Sequence, residues 1–205
     1  TPLAAQSSPN YTAALQKSIA FYECQESGTL SPGNRIAWRG PAHLDDGDSV
    51  GRDLSGGWYD AGDHWKSNNT MAYATSLLNW SAVRFPEAYD HAGQWDEYLN
   101  GLRHINGYFE RCIVDPEPDA IDRFAEYELY IDVGGRPGPD PGVHSVWCAP
   151  EVTAGFTVRE PLKVTPRVPG PDVAFAMAAA MSSSAIILDE RGSDEDKAAA
   201  RQLLQ

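Results

Sequence analysis

Residues 56–66 read Gly56-Gly57-Trp58-Tyr59-Asp60-Ala61-Gly62-Asp63-His64-Trp65-Lys66. Two carboxylates three positions apart stand in a glycine-bearing turn among aromatic side chains. Glycine lets a backbone turn tightly and lets a ligand come close to it. Two neighbouring carboxylates can hold and deprotonate a water molecule. A plainer account is a capped turn, because Asp favours turns and Trp and Tyr fill cores.

Outward from this run the chain alternates helical stretches with long connections. Leu15, Ile19 and Tyr22 share one helical stripe that ends before Gly28. Met71, Ala74, Leu78, Ala82 and Phe85 form a second, which stops at Pro86. Trp95, Leu99, Leu102, Ile105, Phe109 and Cys112 form a third. A fourth, from Asp172 to Leu188, is apolar nearly all round and is expected to be buried on both sides. Ser193 reads as the N-cap of a further helix with acidic residues in its first turn. The connections at 27–69 and 114–171 are too long to be idle and read as site-building loops. Within the second, Tyr127 to Val133 alternates and predicts a short strand.

Composition narrows the class. The 205 residues carry 29 acidic and 16 basic side chains, for a net charge of -13. That field repels phosphate backbones, so nucleic acid is excluded as a partner. The apolar run Val173 to Leu188 is interrupted by Ser182, Ser183 and Ser184 and is short for a bilayer, so no membrane partner is expected. Cys24, Cys112 and Cys148 leave room for one disulfide and do not choose it. His144 and Cys148 have a spacing that suits a metal but no further ligand pair, and no metal site is assigned. The chain starts without Met and stops inside a helical pattern, which reads as a processed chain or a fragment.

With the motif and its surroundings quoted, a family becomes recognisable. Asn34-Arg35-Ile36-Ala37-Trp38-Arg39-Gly40, then Val50-Gly51-Arg52-Asp53-Leu54-Ser55 running into the 56–63 motif, then Met71-Ala72-Tyr73 resemble the N-terminal part of the catalytic domain of glycoside hydrolase family 9. His144-Ser145-Val146-Trp147 with Pro150-Glu151 resembles that family's His-x-x-Trp substrate loop. Pro169-Gly170-Pro171-Asp172-Val173-Ala174 resembles the opening of a later inner helix. The resemblance runs from about residue 13 to the end, and several ordered matches make coincidence improbable.

The resemblance implies an all-α fold, an (α/α)6 barrel of six helical hairpins, of which residues 1–205 form roughly the first half of one catalytic domain. It implies a secreted, inverting endo-β-1,4-glucanase whose partner is a β-glucan polysaccharide or oligosaccharide. Asp63 matches the general base that activates water, and Asp60 the carboxylate that helps orient it. His144 and Trp147 match sugar contacts. Trp58 is a further aromatic that could stack on a sugar or fill the core. The catalytic acid is a Glu further along a longer domain, outside this chain, so the isolated chain is expected to be inactive. A non-catalytic carbohydrate binder on the same scaffold is the competing account. A hydrolase for another glycan (mixed-linkage glucan, xyloglucan or a chitosan-like chain) is a third.

No cofactor is required. The resemblance admits a structural calcium in the full-length domain, but Asp45-Asp46-Gly47-Asp48 lacks calcium-loop spacing and reads as a solvated acidic turn. Arg39 is expected to brace its loop through Asp45, Asp46, Asp48 or Asp53. His64 and His91 read as structural or exposed. Asn10, Asn68 and Asn79 begin glycosylation sequons, the last inside a helical pattern where chance explains it. The family usually has Lys-Phe-Gly where this chain has Lys66-Ser67-Asn68, and the more polar turn leaves the local sugar subsite open.

Overall fold

The computed structural model describes residues 9–115, 127–135, 143–154 and 157–204. In chain order the helices are α1 (Tyr11–Gln25), α2 (Asn68–Arg84), α3 (Pro86–Ala92), α4 (Trp95–Cys112), α5 (Pro150–Thr153), α6 (Pro171–Arg191) and α7 (Asp194–Gln202). The strands are β1 (Lys66–Ser67), β2 (Ile113–Val114), β3 (Glu128–Val133) and β4 (Pro161–Val164). The predicted helical stretches fall on α1, α2, α4, α6 and α7.

Helix α4 shows the clearest amphipathic pattern. Its buried Leu99, Leu102, Ile105, Tyr108, Phe109 and Cys112 lie at helical spacing and form the middle of the core. Each large apolar side chain buried this way contributes about 1.5–3 kcal/mol. Helix α7 starts on a capping box, in which Ser193 Oγ accepts from the Asp196 N–H and Asp196 returns a bond to the Ser193 N–H. Arg103 of α4 then donates to both oxygens of Asp196 at 2.6 and 2.8 Å, which ties the two helices together.

Helices α2 and α6 pack along each other. Between them lies a polar joint inside an apolar interface. Asn79 donates to Ser183 Oγ at 2.8 Å and Ser184 Oγ at 3.0 Å, and accepts from the Tyr98 hydroxyl at 2.5 Å. Helix α6 is long and apolar enough to cross a bilayer by length and composition. Val173, Met177, Ala180, Met181, Ile187 and Leu188 instead bury one of its faces in the core. Burial on both sides is not seen in this chain: Phe175 and Ile186 are exposed.

Two elements depart from the sequence reading. Pro86 does not merely stop α2. It occupies the first turn of α3, where its missing N–H costs nothing. The predicted strand is the middle of a small antiparallel sheet. Strand β3 carries β4 on one edge, and β1 and β2 end to end on the other, with a register shift between Tyr130 and Asp132. The pairing of Lys66 with Val133 and Ser67 with Asp132 fixes where the 56–66 run ends. The sheet is added to a helical fold.

The three cysteines are free. Two sequons are closed to modification: Asn68 is fully buried and donates to the Tyr130 carbonyl, and Asn79 is buried in the joint just described. Asn10 is exposed and caps α1 through a bond from the Ala13 N–H.

Replacing Asn79 by Ala leaves the Tyr98 hydroxyl and two serines facing each other without their shared partner. Stranding buried polar groups of this kind costs about 1–3 kcal/mol. The expected outcome for Asn79→Ala is a lower melting temperature in calorimetry with unchanged far-ultraviolet circular dichroism; an unchanged melting temperature contradicts the joint's role.

Candidate active site

The 60–65 turn closes on itself through a bond from the Asp60 N–H to the Trp65 carbonyl at 2.7 Å. Its last corner is His64, which sits at φ 62, in the left-handed region that a non-glycine residue enters only when its surroundings compel it. Those surroundings are visible. The His64 carbonyl accepts from Arg159 at 2.8 Å. Its imidazole is buried beside the rings of Tyr59 and His43, with centroids 5.0 and 5.8 Å away. Its Nδ1 lies 3.2 Å from the Thr153 hydroxyl. With the backbone turned inward at His64, Asp60 remains exposed and Asp63 lies at the surface with its side chain 13% exposed.

Asp63 Oδ2 makes a short contact with His144 Nδ1. Among the described residues its Oδ1 has a long 3.5 Å contact from the Trp65 N–H. The Trp65 ring stands edge-on to His144 at 6.0 Å, and its Nε1–H donates to Asp132 at 2.6 Å, while the Gly135 N–H donates to the other Asp132 oxygen at 2.8 Å. Burial raises the pKa of Asp132, and the bond from Trp65 only partly offsets that. Trp147 is 71% exposed and its ring lies over Gly62: a Cβ there would fall 2.8 Å from Cζ3 of the indole. Asp63, His144 and Trp147, more than 80 positions apart in the chain, therefore share one place. Asp60 starts the same turn.

Trp58 does not join them. It is 4% exposed and packs on Tyr22, with ring centroids 4.8 Å apart, while its N–H approaches the sulfur of Met71. Gly57, at φ 78, lies so close to Tyr108 that a Cβ would meet the ring at 2.8 Å, and this tight crossing turns Trp58 into the core. The expectation of a stacking face on Trp58 is corrected: the ring is core.

Three further expectations change. Arg39 pairs with Glu151 at 2.8 Å rather than with any of the nearby aspartates, and also donates to the carbonyls of Cys24 and Glu26. The 45–48 segment is not wholly a solvated turn, because Asp46 is buried. It accepts from Lys66 at 2.7 Å and from Arg159 at 2.6 Å. Burial alone would raise its pKa, but the two cations prevail and hold it below the ordinary value. The polar Lys66-Ser67-Asn68 run faces the interior as well, so it does not alter the outer surface of the turn. His64 is buried and bonded, whereas His91 is exposed.

Sequence reasoning missed His43, Thr153 and Arg159, all buried behind the turn. His43 Nδ1 lies 2.6 Å from the Tyr59 hydroxyl and its Nε2 lies 3.2 Å from the Thr153 hydroxyl. Burial, reinforced by Arg159, lowers His43 to about 3 and His64 to about 4, and burial pushes Tyr59 up to about 12. Thr153 and Arg159 reach His64 across 89 and 95 positions, so no local pattern in the sequence marks them.

An array of helices thus brings an acidic turn, a histidine and an open indole together at its loops. The family model of glycosyl hydrolase family 9 matches residues 11–205. The chain belongs to that family. It is 40% identical over 200 residues to endoglucanase B of Cellulomonas fimi, covering 97% of this chain and 17% of that relative. The termite endoglucanase of Nasutitermes takasagoensis superposes with a TM-score of 0.80 at 29% identity, over 96% of this chain and 41% of that one. Cellulase Cel9M of C. cellulolyticium, solved in complex with cellobiose, superposes with a TM-score of 0.79 at 29% identity, over 97% and 42%. The fold is thus that of the (α/α)6-barrel endoglucanases, and the chain spans well under half of each of these proteins.

The two buried histidines set a pH dependence. Their pKa values are depressed in the folded chain, so the unfolded chain takes up protons near its ordinary value of about 6.5 that the folded chain refuses until about 4 and 3. Their contribution is complete above pH 6.5 and is lost as the pH falls toward 4. Melting temperature measured from pH 7 to 4 should decline through this window, and His64→Gln should flatten the decline. A profile that stays level to pH 4 contradicts it.

Proposed function

We propose that this chain supplies the water-activating side of an inverting endo-β-1,4-glucanase, with Asp63 as general base and Asp60 as the carboxylate that helps orient the attacking water. The observation that carries this reading is the contact between Asp63 and His144 beneath the open ring of Trp147. His144 occupies Asp63 Oδ2, and in this reading Oδ1 takes the attacking water. Trp147 offers an apolar face on which a glucose ring can stack. Asp60 is three positions away in the same turn and exposed.

Inversion needs an acid on the leaving oxygen and a base on the opposite face of the sugar, about 6.5–9.5 Å apart with a water between. Asp60 and Asp63 belong to one turn and therefore to one side. The opposing acid is a Glu contributed by a part of the domain beyond this chain. The substrate class follows from the relatives, which are named endoglucanases, and from a neighbour solved with cellobiose. The reaction needs no cofactor. A polymer of this kind is met outside the cell, where we place the protein. Mixed-linkage glucan, xyloglucan or a chitosan-like chain would meet the same base, and reducing-end assays across these polymers separate them.

In the whole protein, Asp63→Asn should lower kcat on cellotetraose by about 100- to 10,000-fold, the range for loss of a general base, with binding retained. Asp60→Asn should give a smaller loss. Proton NMR of the first product should show the α-anomer at the new reducing end. Undiminished turnover in Asp63→Asn overturns the assignment of the base, and a β-anomer overturns inversion. Sugar affinity with no turnover in the unmodified protein would favour the carbohydrate-binder reading.

A further inference from the structure

Two separate stretches meet at the site. One is the 60–65 turn with Asp63, and the other is the 143–153 segment, which carries His144, Trp147 and then α5. In α5 Pro150 and Thr153 are buried, and Thr153, with no exposed surface, meets the two histidines behind the turn. Its hydroxyl has three polar neighbours: the Pro150 carbonyl at 3.1 Å, His43 Nε2 at 3.2 Å and His64 Nδ1 at 3.2 Å. A hydroxyl has one proton to give and two lone pairs to offer.

That count fixes the rest. The bond to Pro150 spends the Thr153 proton, so both ring nitrogens facing Thr153 must donate. His43 then carries its proton on Nε2, and its bare Nδ1 accepts from the Tyr59 hydroxyl at 2.6 Å. His64 carries its proton on Nδ1. The bonds from Tyr59 through His43, and from His64, thus converge on Thr153, and every proton has a place. A second proton on His43 would turn Nδ1 into a donor, and the Tyr59 hydroxyl would have to give up its own donation to accept it. The charged groups that act on His43 are Arg159, Asp46 and Lys66, and those that act on His64 are Arg159, Asp63, Arg39 and Glu151.

We propose that Thr153 is a positioning residue for the reaction: by accepting from both buried histidines it locks their neutral tautomers and clamps the turn bearing Asp63 to the segment bearing His144 and Trp147. The proposal rests on the reading of Asp63 as the base. Thr153 is fully buried behind the turn and acts through His64, the residue next to Asp63. The helix it belongs to is held independently by Glu151, which accepts from Arg39 and from the Gly40 N–H, both at 2.8 Å. Loss of the hydroxyl should therefore loosen the register of the two segments without unseating α5.

The test uses the whole protein. Thr153→Val keeps the shape and removes the hydroxyl, and Thr153→Ser restores it. Expected on cellotetraose is a fall in kcat of at least tenfold for Thr153→Val with KM changed less than threefold, and recovery to within threefold of the parent in Thr153→Ser. Long-range nitrogen–proton NMR of the parent labelled with 15N-histidine should show His43 as the Nε2–H form and His64 as the Nδ1–H form. A folded Thr153→Val with kcat within twofold of the parent overturns the proposal, and so does an Nε2–H form at His64. If Thr153→Val does not fold, the tautomers of the parent and the kcat of Thr153→Ser decide. If Asp63→Asn keeps full turnover, the base assignment is what fails, while the tautomer spectrum still decides whether Thr153 makes the clamp.

Discussion

Asp46 lies between Lys66 and Arg159 with its side chain wholly out of water, and this arrangement determines where the 56–66 run can lie. Removing ions from water costs several kcal/mol each, and mutual attraction repays that only when the remaining bonds are also satisfied. They are. Lys66 gives its other two protons to the carbonyls of Leu54 and Gly56 at 2.6 and 3.0 Å and stands over the Tyr108 ring. Arg159 forks onto Asp46 and spends its remaining reach on the His64 carbonyl. Removal of one member strands a buried charge, at a cost of about 3–5 kcal/mol. The turn that displays Asp60 and Asp63 is thus held at its Lys66 end and at His64 by one ionic knot.

Around that knot the chemistry is layered. The outer layer is Asp63, His144 and Trp147. The layer beneath is Trp65 on Asp132, and the histidine chain through Thr153. The sheet contributes to both. Strand β3 delivers Asp132 beneath Trp65 and pairs with Lys66 at the point where the turn becomes helix α2. A few short strands in a helical protein therefore serve as a bracket for one loop.

Much of this was legible in the sequence where the physics is local. Helix α4 follows from its apolar spacing, α7 from Ser193 and the acids after it, and the site from a carboxylate turn in a recognisable frame. What was not legible depends on partners far along the chain. Arg39 finds Glu151 across 112 positions, and Asp46 finds Arg159 across 113. Local charge reading gave both of them nearer partners or none. Trp58 could not be told from a sugar platform by composition, since only the close crossing of Gly57 over Tyr108 turns it inward. Strands β1 and β2, two residues each, are too short to show a period. Pro86 has the same appearance whether it ends one helix or begins another.

The contact between Trp147 and Gly62 joins an indole directly to main chain. No flexible side chain intervenes to absorb a displacement. A tilt of the loop that holds the carboxylate must carry the ring with it, and a sugar pressing on the ring must be felt by the loop. The indole and the carboxylate a residue away consequently share one rigid attachment, and neither can change its attitude alone.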